Sequence, residues 1–287
     1  MSSWQELIIQ YFGKATLTPL TGGSLAESYV LSTRTSRYFV KYYDPSWIKD
    51  THIARREASA LKALKQAAWP VPDVILSHDS FLVLSWIDHG STAYKEKAGH
   101  IFGERLAKVH QHVVSSFSLP WGNGIGIVQH PSSNYFMAGD FYWEIRLAPL
   151  VKSLSSQYPF LGSLKDYETP IRQFLNQTVT FPTLVHGDLW SGNFLWQSDS
   201  SPYVIDPASY YGDPVSDIAF SELFGGFPRS FYHSYWLTMG SDPHYPCKKP
   251  IYQLYHALVH LKLFGQAYIG LSKSLIDQIR ESPCLPR

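Results

Sequence analysis

Around Asp88-His89-Gly90 the chain changes character, and that change limits its architecture more than any other feature. Ahead of it, short β-branched and aromatic runs separated by polar turns predict strands over 15–22, 28–33 and 37–43. A helix is predicted over 52–66, where Ile53, Ala60, Leu61 and Leu64 share one face. Trp69-Pro70-Val71-Pro72 ends it, since proline disfavours helix at the residue before it. Phe81-Leu82-Val83-Leu84 reads as a buried strand. Behind the change the patterns lengthen into helices over 94–114, 140–157, 167–178, 215–223, 231–238, 251–269 and 271–281. Short β segments interrupt them near 183–185, 194–197 and 203–205. The pattern predicts an α+β, bilobal chain: a small β-rich lobe over 1–88, with a hinge near 85–88, and a larger, mainly helical lobe over 89–287. At roughly 100–200 residues per domain, 287 residues accommodate both.

Composition narrows the function classes. Hydrophobic residues make up 45% and charged residues 16%, which excludes a disordered chain. Lys plus Arg number 24 and Asp plus Glu 23, so a formal charge of +1 leaves no electrostatic footprint for nucleic acid. No apolar run approaches the ~18 residues a membrane span needs, and Met-Ser-Ser-Trp-Gln-Glu-Leu is no signal peptide. Cys247 and Cys284 form no C-x-x-C pair, so neither a zinc knuckle nor a disulfide scaffold is expected. The expectation is a soluble cytoplasmic protein without nucleic-acid or membrane partners.

The chemistry concentrates in His186-Gly187-Asp188-Leu189-Trp190-Ser191-Gly192-Asn193, followed by Tyr203-Val204-Ile205-Asp206. A carboxylate just after a strand can take a proton from a substrate hydroxyl. An Asn five residues on and an Asp after a second apolar strand are oxygen ligands suited to Mg²⁺, which keeps most of its ligands outside the protein. The pattern D-x-x-x-x-N, strand, D matches the catalytic loop and metal-binding aspartate of kinases. Capping Asp and Asn residues around hairpins would account for either alone, but not for the joint spacing. In the front part, Lys41 on the third strand and Glu57 on the following helix can pair to neutralise nucleotide phosphates. The turn Thr21-Gly22-Gly23-Ser24 can lie over those phosphates, though a hairpin uses glycine anyway.

Taken together, these residues resemble the fructosamine/ketosamine 3-kinases, within the aminoglycoside-phosphotransferase-like and protein-kinase-like folds. The resemblance covers nearly the whole chain. Its most specific strings are the His186–Asn193 segment and Asp206-Pro207-Ala208, Tyr211-Gly212-Asp213 and Asp217-Ile218-Ala219. Gly22-Gly23-Ser24-Leu25-Ala26-Glu27-Ser28-Tyr29 fits the nucleotide loop, and Glu144-Ile145-Arg146-Leu147 a weaker block. The resemblance implies Asp188 as catalytic base, Asn193 and Asp206 as Mg²⁺ ligands, and Lys41 with Glu57 as the phosphate-positioning pair. Gly22, Gly23 and Ser24 would cover ATP, and backbone groups of Ser85 and Ile87 would bond the adenine edge. Asp217 would brace the catalytic loop, and His110 would be structural. The implied reaction is ATP-dependent phosphorylation of the 3-hydroxyl of fructosamine, ribulosamine or erythrulosamine adducts, free or protein-bound, in deglycation. Relatives commonly carry cysteine where Ser24 stands, so no redox switch is expected there. Val128-Gln129-His130-Pro131-Ser132 departs from the family's usual T-P-Q-P-N.

A protein kinase fits less well: ten residues between Asp206 and Asp217 leave no room for a full activation loop. The alternatives are another small-molecule kinase of the aminoglycoside or choline type, and a non-catalytic nucleotide-binding module. Against the latter stands the full set Lys41, Glu57, Asp188, Asn193 and Asp206. Trp190, two residues past the base, suits either stacking on the ketose or packing beneath the loop. The residues leave the amine carrier and the oligomeric state open.

Overall fold

The computed structural model describes residues 3–21, 26–46, 48, 52–122, 124–126 and 128–285. The predicted nucleotide-loop residues Gly22, Gly23 and Ser24 lie outside them. Helix α1 (Trp4–Phe12), absent from the sequence expectations, starts at a capping box in which Ser3 and Glu6 satisfy each other's backbone N–H. Its Trp4 stacks on Tyr42 at 4.6 Å, and Ile8 is fully buried. Strands β1 (Thr16–Leu20), β2 (Glu27–Ser32) and β3 (Arg37–Tyr42) follow, then α2 (Ile53–Gln66), β4 (Val74–Ser77) and β5 (Phe81–Ser85). They form an antiparallel sheet in the order β1-β2-β3-β5-β4. The continuous apolar run of β5 has a simple cause: both its faces are covered. Phe81 and Val83 join Ile8, Leu31 and Val40 on the α1 side. Leu82 and Leu84 join Ala58, Leu61 and Leu64 of α2 on the other.

The rest is mainly helical. Helix α3 (Lys95–His110) leads to the short strands β6 (Phe117–Ser118), β7 (Gly124–Ile125), β8 (Val128–Gln129) and β9 (Asn134–Tyr135). The next helix is composite, α4 (Ala138–Phe141) and α5 (Ala148–Leu154) flanking a π-helical stretch, Tyr142–Leu147. Then come α6 (Glu168–Thr178), β10 (Thr183–Val185), β11 (Phe194–Trp196), β12 (Pro202–Val204), β13 (Tyr210–Gly212), α7 (Val215–Ser221), α8 (Arg229–Met239), α9 (Tyr245–Phe264) and α10 (Ile269–Arg280). Strands β10 and β13 pair antiparallel, as do β11 and β12. A Cβ at Gly103 of α3 would fall 2.2 Å from the Phe231 carbonyl oxygen of α8, so glycine permits this close helix approach. Helix α9 is buried from Pro250 to Val259 and forms the centre of the helical core.

One finding departs from the cysteine reading. Cys247 and Cys284, 37 residues apart, form a disulfide that ties the start of α9 to the segment after α10. Nothing in the local spacing announces this, because the fold and not a framework of paired cysteines brings the two together. Among the described residues no helix is long and apolar enough to cross a membrane.

Candidate active site

Strand β10 delivers the chain into a loop that cannot relax. At Gly187, φ is 78°, and a Cβ there would lie 2.1 Å from the Ala208 carbonyl oxygen. Only glycine fits both the left-handed backbone and that contact. Asp217, at the start of α7, accepts hydrogen bonds from the N–H groups of His186 (2.7 Å) and Gly187 (2.9 Å). The Ala208 N–H donates to the His186 carbonyl at 2.9 Å. The loop is thus pinned from α7 and from β13's approach. His110 is fully buried, with its Nδ1 3.0 Å from the Tyr235 hydroxyl and its Nε2 3.6 Å from Asp217.

Beyond Gly187 the predicted polar residues converge. Asn193 Nδ2 donates to the Asp188 backbone carbonyl (3.0 Å) and to Asp188 Oδ2 (3.2 Å). That leaves Asn193 Oδ1 as the amide's oxygen for a cation. Asp206 adopts φ 58°, a conformation that non-glycine residues hold only where surroundings impose it. Its Oδ1 lies 2.9 Å from Lys41 Nζ, whose other partner is Glu57 Oε1 at 2.8 Å. The Tyr43 hydroxyl donates to Glu57 Oε2. Burial opposes the Lys41 charge, but Asp206 and Glu57 outweigh it and hold the ammonium well above its usual range. Burial foremost, with the Asp206 carboxylate second, pushes the Asp188 carboxyl up to about 7.

All five of these side chains line one cavity of about 920 Å³ between the sheet and the helical part. Trp190 also lines it, half-buried and outside every buried cluster of the described residues. Its indole lies over Gly192, where a Cβ would come within 2.3 Å of the ring. The two adenine-edge residues stand apart. Ser85 and Ile87 do not contribute to this cavity's wall. The Ser85 N–H donates to the Asp73 carbonyl at 2.9 Å, so its carbonyl oxygen is what it can offer an adenine. The oxygen donors Asn193 and Asp206 fit a hard cation that draws further ligands from phosphate and water.

One residue escaped the sequence reading except as part of a block. Arg146, in the π-helical stretch, is fully buried and its guanidinium has no hydrogen-bond partner among the described residues. It lies between the rings of Tyr210 (4.4 Å) and Tyr255 (3.8 Å). Tyr210 in turn touches the position a Cβ on Gly187 would take, at 3.3 Å. An arginine amid otherwise apolar helix positions was the signal available. His256 stacks on Phe220 at 3.5 Å and supplies its carbonyl to His260 Nδ1 at 2.8 Å, an arrangement of packing and not of metal ligation.

The model of the fructosamine kinase family matches residues 1–282. The chain belongs to the fructosamine kinase family. "Probable ketoamine kinase VP1481" of Vibrio parahaemolyticus is 32% identical over 271 residues, 91% of each chain. A chloroplastic protein-ribulosamine 3-kinase of Arabidopsis thaliana is 32% identical over 205 residues, 69% of this chain and 61% of its own. Among solved structures, a Haemophilus somnus protein assigned as a fructosamine-3-kinase superposes with a TM-score of 0.84 at 27% identity, covering 96% of this chain and 95% of its own. An ADP-bound aminoglycoside phosphotransferase shares the fold, with a TM-score of 0.61 at 17% identity over 96% of this chain and 95% of its own. The fold is therefore the α+β, protein-kinase-like one that the sequence leads one to expect. As a fructosamine kinase relative, the chain is a phosphotransferase acting on an alcohol group.

Proposed function

We propose that this protein transfers the γ-phosphoryl group of ATP to the 3-hydroxyl of a ketosamine: a fructosamine, ribulosamine or erythrulosamine adduct. The observation that carries the reading is the shared lysine. Lys41 bridges Glu57 of the sheet part and Asp206 of the helical part, with Asp188 and Asn193 facing the same cavity. That is the arrangement phosphoryl transfer needs, because positioning and charge neutralisation supply most of the rate.

In this reading ATP sits between the 1–88 and 89–287 lobes, beneath Gly22, Gly23 and Ser24, with its adenine toward the Ser85 carbonyl and Ile87 N–H. Asn193 and Asp206 hold Mg²⁺, which, when bound, spreads the charge of the phosphate oxygens. Lys41, locked by Glu57, places the phosphates. Asp188 takes the proton from the 3-hydroxyl as its oxygen attacks the γ-phosphorus in line, and the bond to the bridging oxygen breaks to release ADP. Trp190 covers one face of the ketose. The 3-phosphate, once enolised toward C1, expels inorganic phosphate from C3, and water hydrolyses the resulting imine to free the amine, which makes the reaction a deglycation step, placed in the cytoplasm. ADP release measured across the three sugar classes tests it: turnover with one or more supports the reading. Mg-ATP binding without turnover on any would leave a nucleotide-binding module instead.

A further inference from the structure

The ketosamine reading leaves open the group carried on the amine, and one part of the cavity wall bears on it. That part is aromatic: Phe224 after α7, His260, Leu263 and Phe264 on α9, and Tyr268 beyond it. The rings are contiguous. His260 lies 4.7 Å from Phe224, 5.0 Å from Tyr268 and 5.6 Å from Phe264, and Phe264 lies 5.9 Å from Tyr268. Burial lowers the His260 pKa, so that ring is neutral near pH 7 and extends the apolar surface. Phe264 is 53% exposed, a large apolar ring at the mouth of a cavity that also holds a catalytic carboxylate. The opposite edge is close, since a Cβ on Gly126 of the β7–β8 turn would meet Leu263 at 3.4 Å.

Charge is distributed unevenly along the cavity. The acidic residues on its described wall, Glu57, Asp188 and Asp206, lie around Lys41 and the catalytic loop. Lys41 is the one lysine or arginine on that described wall, and it is already held by two carboxylates. A ketose has two ring faces, and Trp190 beside Asp188 serves one of them. The second aromatic surface is then left for the amine and its substituent, and the 53% exposure of Phe264 gives it an opening to solvent. A protonated secondary amine is favoured over aromatic faces. Against those rings a carboxylate is less favoured than an apolar group, since Lys41 is the one lysine or arginine on the described wall and is already paired.

Resting on the ketosamine reading, we propose that Phe224, His260, Leu263, Phe264 and Tyr268 form a subsite for the amine's substituent, one that selects alkyl and aromatic amines over amino acids. The test uses the full chain with Mg-ATP and three fructosamines that share one sugar: the N-benzyl, N-methyl and glycine adducts. KM should be lowest for the benzyl adduct and highest for the glycine adduct, with roughly tenfold or more between them. Phe264→Ala, at a half-exposed position that the fold does not depend on, should shrink the methyl-to-benzyl KM ratio toward one. Tyr268→Ala should shrink it in the same direction. Equal KM values, a lowest KM for the glycine adduct, or a ratio that neither variant moves would each overturn the subsite. Where the fructosamines give no ADP release, the same three amines are run as ribulosamine and erythrulosamine adducts; absence of release with all of them overturns the ketosamine reading itself, and the subsite with it, and is told apart from those outcomes by the missing turnover.

Discussion

Asp188 faces two opposed demands. As the proposed base it must be ionised to take a proton, yet burial and the neighbouring Asp206 push it up to about 7. A base poised near the working pH is the useful compromise. We expect kcat/KM to rise with pH through about 7 as Asp188 ionises. Asp188→Asn should lower kcat by roughly 10²–10⁴-fold in an ADP-release assay, with nucleotide binding kept. The same shift acts on stability. The folded chain binds this proton more tightly than the unfolded chain, so stability falls as pH rises from about 4 through about 7 and is flat above. Asp188→Asn lacks that penalty, and its melting temperature should gain on the wild type between about pH 5 and pH 8. Asp206→Ala removes a Lys41 partner and the proposed cation ligand, so Mg²⁺-dependent turnover should vanish; turnover that persists would disprove the assignment. For Trp190→Ala, the half-buried ring on the cavity wall predicts that KM rises much more for the ketosamine than for ATP, with the melting temperature kept. A loss of roughly 3–5 kcal/mol in denaturant titration would mark a core residue instead. Asp188, Asn193 and Asp206 were readable because their grouping is local, set by one loop and one hairpin. Arg146 was not, because its worth depends on Tyr210 and Tyr255, which reach it from distant segments.

Elements differ in how plainly the sequence announces them. Helix α2 was expected over 52–66 and spans Ile53–Gln66, since fourteen residues of amphipathic pattern leave little ambiguity. Strand β4, four residues long beside Pro72, and the three residues of β13 are too short to show a period. Helix α9 begins six residues before the expected start. Pro246 and Pro250 read as breakers, yet Pro246 occupies the first turn, where its missing N–H is no loss. The helix also stops earlier than expected, at Gly265, whose φ of 70° is one glycine adopts readily and a right-handed helix cannot continue through. The π-helical Tyr142–Leu147 has no sequence period to betray it. The catalytic loop is the element most sensitive to a small change. Gly187→Ala combines left-handed backbone strain with a clash at the Ala208 carbonyl, and should lose at least about 2 kcal/mol as well as activity. Wild-type unfolding in urea and wild-type kcat for that variant would show that the loop tolerates what its geometry forbids.

For the whole molecule, the shift from short β-rich runs to long helical ones was legible, because it reflects which residues each layer buries. The sheet ends at Ser85, and α3 opens the helical part at Lys95. The link between Cys247 and Cys284 was not, since 37 residues of helix and turn bring them together. Closing a loop of that length stabilises by about 4 kcal/mol through the unfolded chain. Reductant should therefore lower the urea midpoint, and Cys284→Ser should lower it equally and abolish the reductant effect. The two parts also meet through Val204, whose N–H donates to the Pro70 carbonyl at 2.7 Å, and through Arg56 and Gln129 at 3.3 Å. Lys41 is another meeting point, and its double partnership has a thermodynamic corollary for the proposed nucleotide site. An arriving phosphate finds Lys41 already paired and must exchange with Asp206 for a share of the ammonium. In that reading, whatever draws Lys41 off Asp206 frees the carboxylate oxygen that a divalent ion would take. Nucleotide and ion uptake are then linked functions, each tightening the other by one common factor.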